Sequence, residues 1–302
     1  MNVSDLLPAS RQMATPAQQG DCPLCLARER TSVLVSSSKR SLKKCRDCGV
    51  TFLEPQPDVR EFSTILSDHY IKDEARLERA FERTRDPVIS RVAENIRERK
   101  KGGRILDVGC AGGYFLSRYF PSADWELFGV EPSKFASARA LEKGITVYNR
   151  KLTDEELPGA YFDVITILDT FSYFREPREE LTALRKTMRA DSLLVVEQPL
   201  AGTHVWRHAT KLGRFLGGAP MSLLESGQNF LYTMASMILI LRETGFQILD
   251  CVPLPGNKQR DWYRDFLFGA YYSGSRLVWA LSGRTQMCGP NFVVIASPVD
   301  KS

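Results

Sequence analysis

The sequence predicts an α/β protein: a seven-stranded sheet wound on both faces, preceded by a small cysteine-rich module. Three observations predict it. From Arg104 onward, short apolar runs alternate with helical patterns, which is how parallel sheets covered by helices read. The first run ends in a glycine-rich turn, ILDVGCAGGYFL, and such turns sit where these sheets bind ligands. Upstream lie two CxxC pairs, Cys22-Pro-Leu-Cys25 and Cys45-Arg-Asp-Cys48.

The bulk properties fit this reading. A chain of 302 residues accommodates one large domain and a smaller module, each with its own core. Hydrophobic content of 43% and charged content of 25% exclude a wholly disordered chain. The net charge of +5 permits an anionic partner without requiring one. Residues 1–20, polar and rich in Pro and Ala, read as a flexible tail and lack the charged start, apolar core and cleavage site of an export signal. The most apolar stretch, 234–241, is far short of the roughly 20 residues that span a bilayer. A cytoplasmic protein without a transmembrane segment is expected. Seven cysteines, an odd number without an export signal, favour metal ligation over a disulfide framework.

Residues 21–56 form the expected module. Each CxxC pair curls its turn so that both thiolates face one ion, and two such turns complete a tetrahedral site. Cys22, Cys25, Cys45 and Cys48 leave no position open for water or substrate, which predicts structural zinc in a zinc-ribbon module. Between the pairs, residues 31–35 read as a strand. Lys39, Arg40, Lys43, Lys44 and Arg46 form a basic run, read as a solvated loop or, alternatively, as a phosphate-binding patch. No aromatic residues interleave it, so a stacking surface for single-stranded nucleic acid is missing.

Residues 57–100 are expected to be a helical connection. Leu77 and Phe81 share a helical face, and Val88, Val92 and Ile96 recur every fourth residue. Asp86-Pro87 reads as a helix start, with Asp as N-cap and Pro in the first turn, so a separate helix is expected over 87–99.

Residues 101–302 carry the sheet. Strands are expected at 104–108, 127–130, 145–148, 163–168, 193–197, 247–252 and 292–296, the last two as an antiparallel finishing pair. Helices are expected at 113–119, 133–143, 178–188 and 234–243. In the turn after the first strand, Gly109, Ala111, Gly112 and Gly113 let a ligand approach the backbone. A dinucleotide fingerprint would place glycines where Ala111 and Tyr114 stand, so the pyrophosphate cradle is absent. Asp107 instead puts a carboxylate at the strand end, facing an ammonium group. Glu131, at the end of the next strand, is placed to accept both hydroxyls of a ribose. A ligand with a ribose, an amino cation and no phosphate matches S-adenosylmethionine.

On these residues the sequence resembles the class I S-adenosylmethionine-dependent methyltransferases over roughly residues 89–298. The matching pieces are ILDVGCAGGYF, GVEPS, FDVITILDTF, the helix after Glu176-Pro177, LLVVEQP and LYTMASMILILRETGF. With the cysteine module in front, the chain further resembles a bacterial group of zinc-ribbon methyltransferases of glycan and natural-product pathways. The resemblance implies a Rossmann-like seven-stranded methyltransferase sheet. It places Asp107, Gly109, Ala111 and Gly113 along the methionine and ribose, Glu131 at the ribose, Pro132 and Leu152 beside adenine, and Asp169 near the methionine end. Two positions depart from the family pattern. Ala111 replaces the middle glycine, and Tyr173, after Ser172, stands where relatives often carry histidine after glutamate.

The usual base is therefore missing. An alcohol acceptor needs a general base, worth about 10² to 10⁴-fold in rate. The candidates are Tyr173, whose side-chain type ordinarily titrates near pH 10, and His204 and His208 just after the fifth strand, whose type titrates near pH 6.5. Two insertions are expected to form the acceptor side. Residues 201–229 read as a lid. Residues 257–287, with Trp262, Tyr263, Phe266, Phe268, Tyr271, Tyr272 and Trp279, suit sugar stacking, an apolar acceptor, a homodimer contact, or the core face of one amphipathic helix. The expected function is methyl transfer to a small-molecule or glycan acceptor, at a sugar hydroxyl, since carbon-methylating sugar relatives carry a further C-terminal domain. The alternatives are an RNA methyltransferase anchored by the basic module and a cofactor-binding scaffold without turnover.

Overall fold

The computed structural model describes residues 21–57, 74–121, 123–149, 157–209, 223–225, 227–259 and 261–299, without the side chains of 74–78, 80–81 and 206–209. The tail expected at 1–20 and Leu152 lie outside the described residues, as do residues 58–73 of the expected connection and residues 210–222 and 226 of the expected lid.

In chain order the strands are β1 (Thr31–Ser36), β2 (Ser41–Cys45), β3 (Thr51–Glu54), β4 (Gly103–Val108), β5 (Trp125–Val130), β6 (Thr146–Tyr148), β7 (Phe162–Leu168), β8 (Met188–Pro199), β9 (Phe230–Leu231), β10 (Phe246–Leu254) and β11 (Asn291–Pro298). The helices are α1 (Glu74–Arg99), α2 (Tyr114–Tyr119), α3 (Lys134–Glu142), α4 (Pro177–Thr187), α5 (Ala201–Ala209), α6 (Met234–Glu243) and α7 (Trp262–Leu281).

The large sheet runs β6-β5-β4-β7-β8-β11-β10. The pairs β5–β6, β4–β5, β4–β7 and β7–β8 are parallel, and β11 lies antiparallel between β8 and β10. This is the Rossmann-like seven-stranded methyltransferase sheet expected from the sequence. Its central strands read as unbroken apolar runs because both faces are buried: Ile105, Leu106, Val164, Ile165, Leu194, Val195 and Val196 are fully enclosed. The helices begin where their side chains dictate. Thr233 and Ser236 form a reciprocal capping box at the start of α6, and Pro177 opens α4.

The module is a sheet of four strands, β1-β2-β3-β9, whose last strand comes from the far side of the chain. Thr51 pairs with Leu231 and Phe52 with Phe230. The separate core expected for the module does not exist: Cys22, Leu24, Cys45, Val50 and Phe52 belong to one apolar cluster with Phe171, Phe230, Tyr232 and the sheet residue Leu194. So short a segment cannot enclose enough apolar surface by itself, and it shares its neighbour's. The described ends of the expected lid are anchored on this module, where Leu223 and Leu224 pack with Leu42, Leu53 and Val205.

The helix start expected at Asp86-Pro87 is also corrected. One helix, α1, runs through Pro87. The Thr84 carbonyl, one helical turn before Val88, accepts the Lys258 backbone N–H at 2.7 Å. Asp86, instead of capping, accepts the phenols of Tyr114 (3.0 Å) and Tyr119 (2.5 Å). Val88, Val92 and Ile96 are buried as their spacing predicts, while the side chains of Leu77 and Phe81 fall outside the described residues. Among the described residues no helix is long and apolar enough to cross a membrane.

Candidate functional site

The parallel strands β4, β5 and β7 end side by side, and each delivers a carboxylate to the same edge. Asp107 closes β4 and is 4% exposed. It lies in register with Thr166 of β7, and that pairing brings the Thr166 hydroxyl to donate to Asp107 Oδ1 at 2.6 Å. Burial pushes the Asp107 carboxyl up to about 7, the Glu131 charge adding to the rise and the Thr166 hydrogen bond opposing it. Glu131 follows β5. Its Oε2 accepts the Ala111 N–H at 3.0 Å and its Oε1 the Ser133 N–H at 2.8 Å. Burial raises its pKa against those two donors. The carboxylate thereby clamps the glycine-rich turn to the start of α3 and keeps a second lone pair on each oxygen for a ligand.

The turn has the conformation its glycines allow. Gly109 has φ +79°, and a Cβ there would lie 2.4 Å from Thr170 Oγ1. Gly113 has φ +76°, with Ile145 Cδ1 at 2.3 Å from the same imagined atom. Ala111, the departure from the family glycine, also holds a positive φ of 47°. A non-glycine residue there costs on the order of 1–2 kcal/mol, and the Glu131 hydrogen bond to its N–H helps hold it.

Asp169, after β7, is likewise left-handed, with φ 58°. Its backbone N–H donates to the Glu197 carbonyl of β8 at 3.0 Å. Its Oδ2 stands 3.8 Å from Arg85 Nη1. Its Oδ1 is shielded from solvent and has no hydrogen-bond partner among the described residues. Arg85 of α1, 2% exposed, is committed to Glu197, which is 0% exposed: Nη2 meets Oε2 at 2.5 Å and Nη1 meets Oε1 at 3.5 Å. Nη1 also reaches Asn257 Oδ1 at 3.3 Å. Burial raises the pKa of both Asp169 and Glu197, the latter to about 7, with the Arg85 charge opposing in each case.

Asp107 and Glu131 thus crowd acid at one sheet edge, and Asp169, beside Arg85 at the end of the neighbouring strand, keeps an Oδ1 with no hydrogen-bond partner among the described residues. A cationic ligand relieves this crowding, and a pyrophosphate worsens it. The donor set suits a molecule with an ammonium, a sulfonium and a ribose diol. Pro132, exposed just beyond Glu131, borders the same edge.

The candidate bases come from other elements. Tyr173 ends a short 3-10 turn, Phe171–Tyr173, directly after Asp169 and Thr170. Asn229 Nδ2 fixes that turn by donating to the Tyr173 and Phe174 carbonyls at 3.0 and 3.1 Å. His204 lies on α5, beyond the carboxyl end of β8, with its Nε2 shielded from solvent. The neighbouring Thr203 reaches Tyr271 of α7 (3.1 Å) and the Gly289 carbonyl (2.7 Å). His208 is on the same helix, and its side chain falls outside the described residues.

Sequence reasoning gave no role to Thr166, Arg85 or Glu197. Thr166 is legible only through strand register. Glu197 stands in LLVVEQP among apolar residues, where a charge in a buried strand asks for a partner. That partner, 112 residues away, carries no mark in the sequence.

The second site is the cysteine cluster. The Sγ atoms of Cys22, Cys25, Cys45 and Cys48 all lie within 4.8 Å of one another. Cys22 and Cys48 are 3.7 Å apart, as are Cys25 and Cys45. A tetrahedron with Zn–S bonds of about 2.3 Å has edges of about 3.8 Å, so the four thiols fit that ion. Backbone N–H groups of Cys25 and Asp47 point at Cys22 and Cys45 sulfur, as they do toward thiolates. The basic run is split by the fold. Arg40 is buried, Lys43 pairs with Glu54, and Lys39, Lys44 and Arg46 are exposed.

Comparison with known proteins agrees with this architecture. The chain is similar to a tRNA U34 carboxymethyltransferase of Pseudomonas fluorescens strain SBW25, 29% identical over 170 residues, covering 54% of this chain and 51% of that protein. It is also similar to a ubiquinone biosynthesis O-methyltransferase of Haemophilus ducreyi, 28% identical over 104 residues, covering 31% and 44%. The chain spans about half the length of the curated relatives it matches. Among solved structures, the Burkholderia thailandensis 1,6-didemethyltoxoflavin-N1-methyltransferase aligns with TM-score 0.53 at 11% identity, covering 89% of this chain and 99% of that one. The plantazolicin methyltransferase aligns with TM-score 0.52 at 16% identity, covering 80% and 96%. A family model described as a methyltransferase domain matches residues 77–250, more than half of the sequence, and the chain belongs to that family.

Proposed function

We propose that the protein transfers a methyl group from S-adenosylmethionine to a small-molecule or glycan acceptor, at a sugar hydroxyl, and that its cysteine cluster holds one structural zinc. The observation that carries the cofactor reading is the set of carboxylates at the strand ends, Asp107, Glu131 and Asp169, with Asp169 Oδ1 lacking a hydrogen-bond partner among the described residues. When bound, the cofactor supplies a methyl group already activated by the sulfonium. Asp107 and Asp169 then hold the amino end, Glu131 holds the ribose, and Gly109, Ala111 and Gly113 leave room for the ligand against the backbone. Pro132 borders adenine. The protein's task is alignment, which lowers the barrier without a covalent intermediate.

For an alcohol acceptor the proton goes to His204 or His208 of α5, with Tyr173 as the competing base. A neutral imidazole is available at pH 7 to 8, and α5 leaves the sheet at its ligand-facing end. Calorimetry tests the cofactor site. Glu131→Gln keeps the shape but loses acceptor charge toward a ribose diol, and is expected to weaken binding by about 2–3 kcal/mol. Unchanged affinity sinks the assignment. Single-turnover transfer by His204→Gln, His208→Gln and Tyr173→Phe tests the base. A loss of about 10²-fold confined to Tyr173→Phe would reject the histidines.

The tRNA-directed relatives motivate a second reading, methylation of RNA. With Arg40 buried and Lys43 paired to Glu54, the basic run leaves Lys39, Lys44 and Arg46 exposed, and Arg28 and Arg30 are exposed on the same module. Steep salt dependence of RNA binding would favour that reading. A scaffold without turnover would bind the cofactor and leave every acceptor of a broad panel unmethylated.

A further inference from the structure

The helix α7 has its polarity reversed for a surface helix. One stripe, Phe268, Tyr272, Ser275 and Trp279, faces the protein: Ser275 and Trp279 are buried, and the Tyr272 hydroxyl donates to the Pro253 carbonyl. The charged residues Arg264, Asp265 and Arg276 lie beside that stripe. At 100° per residue, the outer half of the helix holds Trp262, Tyr263, Phe266, Leu267, Ala270, Ser273, Gly274, Leu277, Ala280 and Leu281, with Gly269 and Val278 at its edges and no charge among them. Trp262 is 82% exposed, Phe266 70%, Leu277 60% and Leu281 79%. Among the described residues the two glycines have no steric reason, since a Cβ built on Gly269 or Gly274 meets nothing within 4 Å. A glycine inside a helix costs about 0.5–1 kcal/mol relative to alanine. Exposed glycines that the fold does not need make room for something outside it.

The spacing of large and small residues says what that is. Reflected about a point between residues 271 and 272, Trp262 falls on Leu281, Tyr263 on Ala280, Phe266 on Leu277, Leu267 on Arg276 (which lies off this face), Gly269 on Gly274 and Ala270 on Ser273. Large meets large at Trp262–Leu281 and Phe266–Leu277, Tyr263 meets the smaller Ala280, and Ala270, Ser273 and Gly274 put small residues in the middle. That is the self-complementary pattern of two identical helices packed antiparallel about a two-fold axis, with backbones in close approach at the centre.

We propose that α7 pairs with α7 of a second copy of this chain in this register, making the protein a two-fold dimer through the residue 257–287 insertion. Taking roughly 150–250 Å² for a fully exposed aromatic side chain, the outer face offers on the order of 600 Å² per copy. A pair then buries about 1,200 Å², the lower edge of stable specific interfaces. The pairing stands independently of the acceptor. It also reaches the candidate site, because Tyr271 on this helix touches Thr203, next to His204.

Sedimentation of the full chain is expected to show a dimer at micromolar concentration, and Ala270→Glu, an exposed change compatible with the helix, is expected to raise the dimer dissociation constant at least tenfold. In a Cys288→Ser background, mild oxidation of mixed Phe266→Cys and Leu277→Cys proteins is expected to give the mixed crosslink, which reports the register without relying on a disrupted variant. A monomeric wild type at tens of micromolar, a dimer indifferent to Ala270→Glu, or a Phe266→Cys protein that crosslinks with itself and not with Leu277→Cys would each overturn the proposal. So would a monomer that binds phosphatidylglycerol vesicles through the same helix.

Discussion

Replacing Arg85 by Met removes the cation from a carboxylate that is 0% exposed, and the consequence is calculable. Breaking a buried pair from one side costs about 3–5 kcal/mol, because the remaining charge is stranded. Glu197 can escape by binding a proton. Holding neutral a carboxyl that titrates near 4.3 in the unfolded chain costs about 1.4 kcal/mol for each pH unit above that value. This sets a ceiling for the variant of about 5 kcal/mol at pH 8 and about 1 kcal/mol at pH 5. The wild type, with Glu197 already raised to about 7, carries most of it, so the added loss is at most about 1.4 kcal/mol at pH 8 and near zero at pH 5. The sign follows from a folded-state pKa raised by burial: the penalty is absent below the unfolded pKa and grows as pH rises toward the folded one. Urea unfolding of Arg85→Met is therefore expected to show a loss of about 2–3 kcal/mol at pH 8, shrinking to about 1 kcal/mol at pH 5, where only the lost bond to Asn257 counts. Arg85→Met with Glu197→Gln is expected to recover most of the loss at pH 8. A pH-independent loss, or a double variant no better than the single one, would show that the pair is not the buried contact described.

Two further outcomes follow from the same structure. With Asp107 near pKa 7, an ammonium ligand must displace a proton at acid pH, so S-adenosylmethionine affinity is expected to fall about eightfold between pH 7.5 and 6. Thr166→Val, which removes the opposing hydrogen bond, is expected to move that fall to higher pH, and a flat profile over this range would refute the role of Asp107. Metal analysis is expected to give one zinc per chain, lost in Cys45→Ser with Cys48→Ser. Because the module shares its core with the sheet, that loss is expected to lower the cooperative melting temperature of the whole chain, and an unchanged melt would show the module to be energetically separate.

The sequence by itself determined the features that local pattern encodes. Apolar runs alternating with helical periods determined the seven-stranded sheet, because burial on both faces leaves no other composition for its strands. The glycines of ILDVGCAGGYFL determined the turn, because φ near +76° to +79° with a neighbour closer than 3 Å admits no side chain at Gly109 or Gly113. The CxxC spacing brought four thiols together because the ligand geometry is local within each pair. The tertiary structure alone decided what depends on contacts between distant segments. Asp86-Pro87 reads as a helix start, yet α1 runs through it, with Asp86 committed to the phenols of Tyr114 and Tyr119 and the Thr84 carbonyl accepting from Lys258. The module looks independent, yet β9 completes its sheet and a common core encloses both. Arg85 and Glu197 carry no mutual mark, since a buried charge specifies that a partner must exist and not where along the chain it stands.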